Sequence, residues 1–533
     1  MERFDLVIQG GTIVDGSGKP GMTGDVGIRD GRIAQAGGRI DPSTAHRLVD
    51  ADGLTVSPGF IDTHSHDDAY LLFNPQCPEK LLQGVTTVVI GNCGFSLAPV
   101  IEEQRKDMMA FLGLLGVSHV ADALADVTSM GDYLDRLDAS RPALNVLTLV
   151  GHQTIRIGAM GMDNRAASPR ELDTMKQLAE SAMKDGAFGF STGLNYSPGA
   201  SAPMDELVEI ARVVSRFNGS YATHLRDEAG RQSEAIEEAL AIARQADIRA
   251  HISHHKIIGQ PNWGQSREHL ARIAKARDAG LRVTCDQYPY TAGSTFLAAV
   301  LPPLLHVDGP DGFAEKLSDP EIRRAARAEL ENGPLSIPRD IGLENVVICV
   351  SPSRPDYVGR SLANIAGDEG VDPYDVVFDL AAADKMEAMM VVHMMNEGDL
   401  KAIMRAPFTM VGSDGIPGFG QGRVHPRFTG TFPRILGRYV HEEKVLSLED
   451  AIRRMTSLPA ETFGIKNKGL ARPGFDADLV VFDPQRIADM STYESPLQKP
   501  AGIFQVIVNG RIAAENNEMT GTAAGIVLRS SDR

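Results

Sequence analysis

Eight short apolar runs constrain this 533-residue chain more than any other feature. They read LTVSPGFID, TTVVIGN, ALNVLTLVG, GAFGFSTG, SYATHLRD, IRAHISHHK, RVTCDQYPY and FTMVGSDG. Between them lie helical patterns such as ELDTMKQLAESAMKDG and QSEAIEEALAIARQAD, with apolar positions recurring at three and four and charges on the other face. A short apolar strand followed by an amphipathic helix is a parallel βα unit, and eight of them close into a (β/α)8 TIM-like barrel. Two stretches exceed the bare repeat. Residues of about 101–140 extend the second crossover, and about 291–345, rich in Pro and charge, form an insertion between strands 7 and 8. Insertions of this length serve as lids or substrate loops.

Both chain ends are different in kind. FDLVIQGGTIVDG and GDVGIRDGRIAQAG at the start, and GFDADLVVFD and FQVIVNGRI near the end, are short β-rich runs punctuated by Gly and Asp-Gly. They are expected to pair into one small β-sandwich. The chain then divides into residues 1–56 and 469–533, which share the β domain, and 57–468, which form the barrel.

A formal net charge of −17 argues against nucleic acid or an anionic membrane as partner, leaving a small-molecule substrate. No apolar run reaches the ~18 residues of a membrane span. The start MERFDLVIQGG lacks the basic, then apolar, pattern of a secretory signal. Four cysteines, at 77, 93, 285 and 349, are too few and scattered for a disulfide framework. A cytoplasmic location is expected.

In a barrel enzyme the chemistry sits at the carboxyl ends of the strands. Here the first run ends in DTHSHDD, the second in Cys93, the fifth in THLRDE, the sixth in SHHK and the eighth in SDG. His64 and His66, two apart on an extended chain, project from one face. His224, His254 or His255, and Asp414 add ligand chemistry at the same rim. Any one of these reads more simply as a satisfied core polar residue, and a lone buried cysteine as core filler. Five strand ends carrying metal-ligand types at one rim do not. Histidines 46, 119, 269, 306 and 441 fall in helices or loops and are expected at the surface. GSGKP lacks the spacing of a phosphate loop, and GIPGFGQG opens no helix as a dinucleotide site does.

The combination resembles the amidohydrolase superfamily, through PGFIDTHSH and ARPGFDADLVVFD. Within it, GVTTVVIGNCGFSLAP, STGLNYSPG, THLRDE, ISHHK, DQYPYTAGST, GSDG and HPRFTGTFPRILGRYV resemble the N-acyl-D-amino-acid deacylases, or D-aminoacylases, from about residue 4 to 510. The resemblance implies zinc-dependent hydrolysis of N-acyl-D-amino acids to a carboxylate and a free D-amino acid. It implies one tight zinc site at Cys93, His224 and His254, with His64, His66 and Asp414 at a second, weaker metal site. His254 rather than His255 matches the family's Ser-His-variable-Lys pattern. Many superfamily members bridge two metals through a lysine after strand four, but that run here ends FGFSTGLNY. The missing lysine weighs against cyclic-amide hydrolases of the hydantoinase or dihydroorotase type, and the filled ligand positions against a metal-free scaffold.

Asp414 is the expected general base and acid, and Tyr196 the donor to a developing oxyanion. Lys256, Tyr288, Ser294 and Arg423 are candidates for the substrate carboxylate. The apolar stretch AGSTFLAAVLPPLL after the seventh strand favours apolar substrates over acidic ones.

Overall fold

The computed structural model describes residues 3–113, 122–306, 309–333, 336–420 and 422–532. All eight apolar runs form strands: Phe60–Asp62 (β1), Val85–Ile90 (β2), Asn145–Thr148 continuing as Val150–Gly151 (β3), Gly189–Gly193 (β4), Ser220–His224 (β5), Arg249–Ile252 (β6), Val283–Gln287 (β7) and Thr409–Val411 (β8). Each pairs in parallel with the next in chain order. Just beyond β1 and β8 the circle closes through a parallel bridge of Ser65 with Gly415, where Asp414 N donates to His64 O at 2.7 Å and His66 N to Gly415 O at 3.1 Å. The crossover helix Pro169–Asp185 has the start expected of its sequence, a Ser168–Glu171 capping box with Pro at its first position.

Inward-facing Ile61, Val89, Leu147, Ala222 and Met410 pack against Leu458, Ala460 and Phe463 of the short helix Ser457–Phe463. This apolar plug fills one end of the barrel and leaves the carboxyl ends of the strands as the rim for polar chemistry.

The run LTVSPGFID serves two sheets. Thr55–Pro58 pairs with Phe4–Ile13 and Leu479–Phe482, whereas β1 turns into the barrel. Gly59 stands at the divide, where a Cβ would lie 2.1 Å from Thr86 Oγ1. Strands from both chain ends form one nine-stranded sheet. A bulge between Ile8 and Gly11 bends its long first strand, and side chains from the two halves, such as Ile8 and Val26 with Val481 and Ile507, share one core. The layers of the expected sandwich are thus one sheet curled on itself. Its hairpins turn at Asp30-Gly31 and Asn509-Gly510, with φ of 50°, 74°, 47° and 78°, as the preferred two-residue turns require.

Two expectations are corrected. The insertion does not stop near residue 345. Everything between β7 and β8 belongs to it, including an antiparallel sheet in which Met389–His393 lies between Ala292–Phe296 and Val346–Val350. Pairing across that separation leaves no local signature. The chain's last segment also leaves the end-sheet: Val146 N donates to Ile526 O and Leu528 N to Val146 O, along β3 of the barrel.

Candidate metal centre and active site

The strand ends bring the expected ligands together. Cys93 Sγ lies 3.3 Å from His64 Nε2, 3.4 Å from His254 Nε2 and 3.9 Å from His224 Nδ1. Asp414 Oδ1 is 3.2 Å from His66 Nε2 and 3.5 Å from His64 Nε2. His64 therefore stands between the two groups, rather than only beside His66 and Asp414. All six side chains are buried. Ligands at about 2.0–2.3 Å from one ion, at tetrahedral angles, stand about 3.3–3.6 Å apart, so the separations of Cys93 from His64 and His254 fit a shared divalent ion, while His224 stands a few tenths of an ångström farther out. Ring nitrogens His64 Nδ1, His66 Nδ1 and His224 Nε2 have no hydrogen-bond partner, with Asp286 3.6 Å from the first and Glu228 3.4 Å from the last.

Charge tells the same story. Burial alone lifts the Cys93 thiol, but His64, His254 and His224 outweigh it and hold it well below its usual range, as a thiolate. Burial lowers His66, and Asp414 and Cys93 outweigh that, pushing it up to about 9. Asp414 is buried too, yet Arg427, His254 and His64 keep it well below the usual carboxylate range. Three of these ligand positions take left-handed backbone, with φ of 52° at Cys93, 38° at His254 and 50° at Asp414. Such conformations cost about 1–3 kcal/mol each and persist only where neighbours impose them. Gln153 Nε2 donates to Cys93 O at 3.2 Å, and His254 N donates to Asp286 Oδ1. His254 lies past the end of β6, so this left-handed turn, not strand alternation, sends His255 away to pack against His269, ring centroids 6.0 Å apart.

A cavity of about 370 Å³ opens over the ligands. Tyr196 lines it with its ring 4.9 Å from that of His224, and burial holds its hydroxyl well above the usual range, as a donor. Lys256, Tyr288 and Ser294 also line it, and the buried Tyr288 hydroxyl has no partner. Arg423 does not reach this cavity: it is exposed, and its N–H donates to Cys349 O. Arg427, at the start of the helix Arg427–Arg434, does, as do Arg226 and Arg231. Arg427 is buried, 2.9 Å from Asp414 Oδ2 and 4.6 Å above the Tyr288 ring. His269 and His306 are also corrected, being buried because their helix and turn face the core, while His46 and His441 are exposed and His119 lies outside the described residues.

Sequence reasoning passed over three further carboxylates or cations. Glu228, four residues after His224, lies 3.1 Å from His254 Nδ1, 3.4 Å from His224 Nε2 and 2.6 Å from Lys256 Nζ. Asp286 is 2.8 Å from His251 Nε2 and 3.6 Å from His64 Nδ1, and it is the last but one residue of β7. Lys80 is fully buried beneath β1 and β8, 2.8 Å from Asp62, 3.4 Å from Asp67 and 2.7 Å from Ser413 Oγ. Nothing in the run PEKLLQG marks that lysine from the outside.

The model of the amidohydrolase family matches residues 47–334 and 342–514. The chain is an amidohydrolase family member. Within the family its relatives are the N-acyl-D-amino-acid deacylases. It is 41% identical over 527 residues to D-aminoacylase of Alcaligenes xylosoxydans xylosoxydans, covering 99% of this chain and 98% of that one. It is 38% identical to N-acyl-D-aspartate deacylase of the same organism, covering 99% and 96%. The crystal structure of N-acyl-D-glutamate deacylase from Bordetella bronchiseptica, complexed with zinc and a phosphonate inhibitor, superposes with a TM-score of 0.85 at 38% identity, over 99% of this chain and all of that one. D-hydantoinase of Ralstonia pickettii is distant, at 23% identity. No helix among the described residues is long and apolar enough to cross a membrane.

Proposed function

We propose that this amidohydrolase cleaves the amide bond of N-acyl-D-amino acids, giving a carboxylate and a free D-amino acid, with zinc held by Cys93, His224 and His254. His64, His66 and Asp414 form the neighbouring, weaker site. One observation carries the reading: a buried thiolate faces three histidines beside an ion-paired aspartate, at the rim of a barrel whose close relatives are deacylases. A thiolate among imidazoles is a donor set suited to zinc. Zinc bound there supplies Lewis acidity, activating water near neutral pH and polarising a carbonyl.

The chain's own residues supply the rest. Asp414 accepts the proton of the attacking water and returns it to the leaving amine, while Arg427 fixes its second oxygen at 2.9 Å. Tyr196 gives its O–H to the oxyanion. The α-carboxylate is met by Tyr288, whose hydroxyl is otherwise unpartnered, by Ser294, and by Lys256, which keeps protons beyond the one given to Glu228. Phe296, Val300, Leu330, Ile341, Met390 and Val392 make the far wall apolar. That wall supports apolar side chains over D-Asp and D-Glu. Four unpaired thiols support a reducing, cytoplasmic setting.

Amino acid release from N-acetyl-D- and N-acetyl-L-amino acids, with zinc measured on the same sample, tests this. Release from D-Met and D-Leu derivatives, little from D-Asp and D-Glu, and stoichiometric zinc are expected. Turnover of L substrates or hydantoins alone refutes the deacylase reading; equal turnover of acidic D substrates refutes only the apolar preference.

A further inference from the structure

We infer that Gln153 is a positioning residue for catalysis: its buried side-chain amide ties the turn that carries Tyr196 to the turn that carries Cys93, and so sets where the Tyr196 hydroxyl stands over the metal. The inference rests on the reading of Tyr196 as the donor to the oxyanion and of Cys93 as a zinc ligand.

Gln153 lies in the first turn of the helix His152–Met160, which follows β3, and it is fully buried. From there it reaches sideways to the strands on either side. Its Nε2 donates to Cys93 O, beyond β2, at 3.2 Å and to Gly193 O, at the end of β4, at 2.8 Å. Its Oε1 accepts from Gly193 N at 3.3 Å. A primary amide has two N–H donors and one accepting oxygen, so this single side chain uses every polar group it has in bridging the two turns. The fit is close on each side. A Cβ would lie 1.5 Å from Gln153 Oε1 at Gly94, 2.7 Å from Nε2 at Gly193 and 2.9 Å from Cδ at Gly199.

Tyr196 depends on this tie because it stands on a turn rather than on a strand. Tyr196 N donates at 3.0 Å to the same Gly193 O that Gln153 holds, and Leu194 N donates to His224 O at 3.2 Å. The turn therefore leaves β4 between two ligand-bearing strand ends. Its far side is held by Arg226, whose guanidinium donates to Ala200 O at 2.8 Å and to Ala202 O at 3.0 Å. A donor to an oxyanion must come within about 2.7–3.1 Å of that oxygen, and a misplacement of about 1 Å can cost about 100-fold in rate. Removing the Gln153 amide releases the near side of the turn from Cys93, so the hydroxyl and the metal no longer keep one spacing.

The test uses the zinc-saturated full chain, its Gln153→Met and Tyr196→Phe forms and the double substitution, with N-acetyl-D-methionine as substrate. Gln153→Met should lower kcat about 10–100-fold with KM within about threefold of the parent, because the oxyanion is met only in the transition state. Tyr196→Phe should lose about 100-fold, and the double variant should fall no more than about threefold below it, since both changes act through one hydroxyl. On the same zinc-loaded samples, hydrogen exchange of the amides of residues 194–201 should quicken at least about tenfold in Gln153→Met. Losses that multiply in the double variant overturn the inference, as does unchanged exchange. So does a parental kcat in Gln153→Met once zinc is saturating, the signature of a residue that serves the metal alone. If Gln153→Met does not fold, Gln153→Asn, one methylene shorter and unable to span both carbonyls, carries the same comparisons. Parental kcat in Tyr196→Phe would instead refute the oxyanion role on which the inference rests.

Discussion

Replacing Lys80 by methionine tests whether the barrel's closure and its metal rim depend on one buried cation. The side chain has no exposed surface and lies 2.8 Å from Asp62 and 3.4 Å from Asp67. At an effective dielectric of about 20, those two attractions amount to about 6 and 5 kcal/mol before desolvation and relaxation. Methionine keeps the length and removes the charge, leaving two carboxylates facing each other in the interior. Asp67 can escape by protonating: burial already pushes it up to about 6 with Lys80 present, so neutralising it at pH 7 costs only about 1.4 kcal/mol. Asp62 has less freedom, since it accepts Ser413 N at 2.8 Å and Ser413 Oγ at 2.6 Å. A net loss of about 3–5 kcal/mol is expected, as for other broken buried pairs. Spread over a barrel of about 400 residues, it lowers the thermal midpoint at fixed scan rate by about 4–6 °C. The deficit should shrink as pH falls below 6, and Asp62→Asn in the Lys80→Met background should recover most of it. A single variant within about 1 kcal/mol of the parent at pH 7.5, or a double variant no better than the single, would show that the pair is not what closes the ring.

Asp414→Asn keeps the shape but loses the proton acceptor, so turnover number should fall about 10²–10⁴-fold with tight-site zinc retained; parallel zinc analysis and steady-state kinetics check it. Gly94→Ala places a Cβ 1.5 Å from Gln153 Oε1 at a φ of 78°, displacing the side chain that holds Cys93 O. Zinc content should drop along with soluble yield. Burial, only partly countered by the Ala298 carbonyl, lowers His306 to about 4. Its neutral form is the one the fold accepts, so its contribution is complete above about pH 6.5 and is lost as pH falls toward 4, about 3 kcal/mol in all. His306→Gln should flatten that part of the acid dependence of the thermal midpoint; an unchanged slope would refute it.

The sequence by itself determined the barrel and the roster of its rim. Eight apolar runs with amphipathic helices between them admit few other closures, because strands that bury both faces need helices on the outside. Local pattern also located Cys93, the histidines and Asp414, since each ends its own run. It could not rank Arg423 against Arg427, because which arginine enters the cavity depends on where a helix starts and how it docks. It missed the sheet at Val346–Val350 and Met389–His393, the return of Ile526 and Leu528 to β3, and Lys80. Tertiary structure alone decided the site's electrostatics. Glu228, Asp286 and Lys80 matter because desolvated charges act strongly over a few ångströms, and those ångströms separate residues such as Thr63 and Asp286, 223 positions apart in the chain.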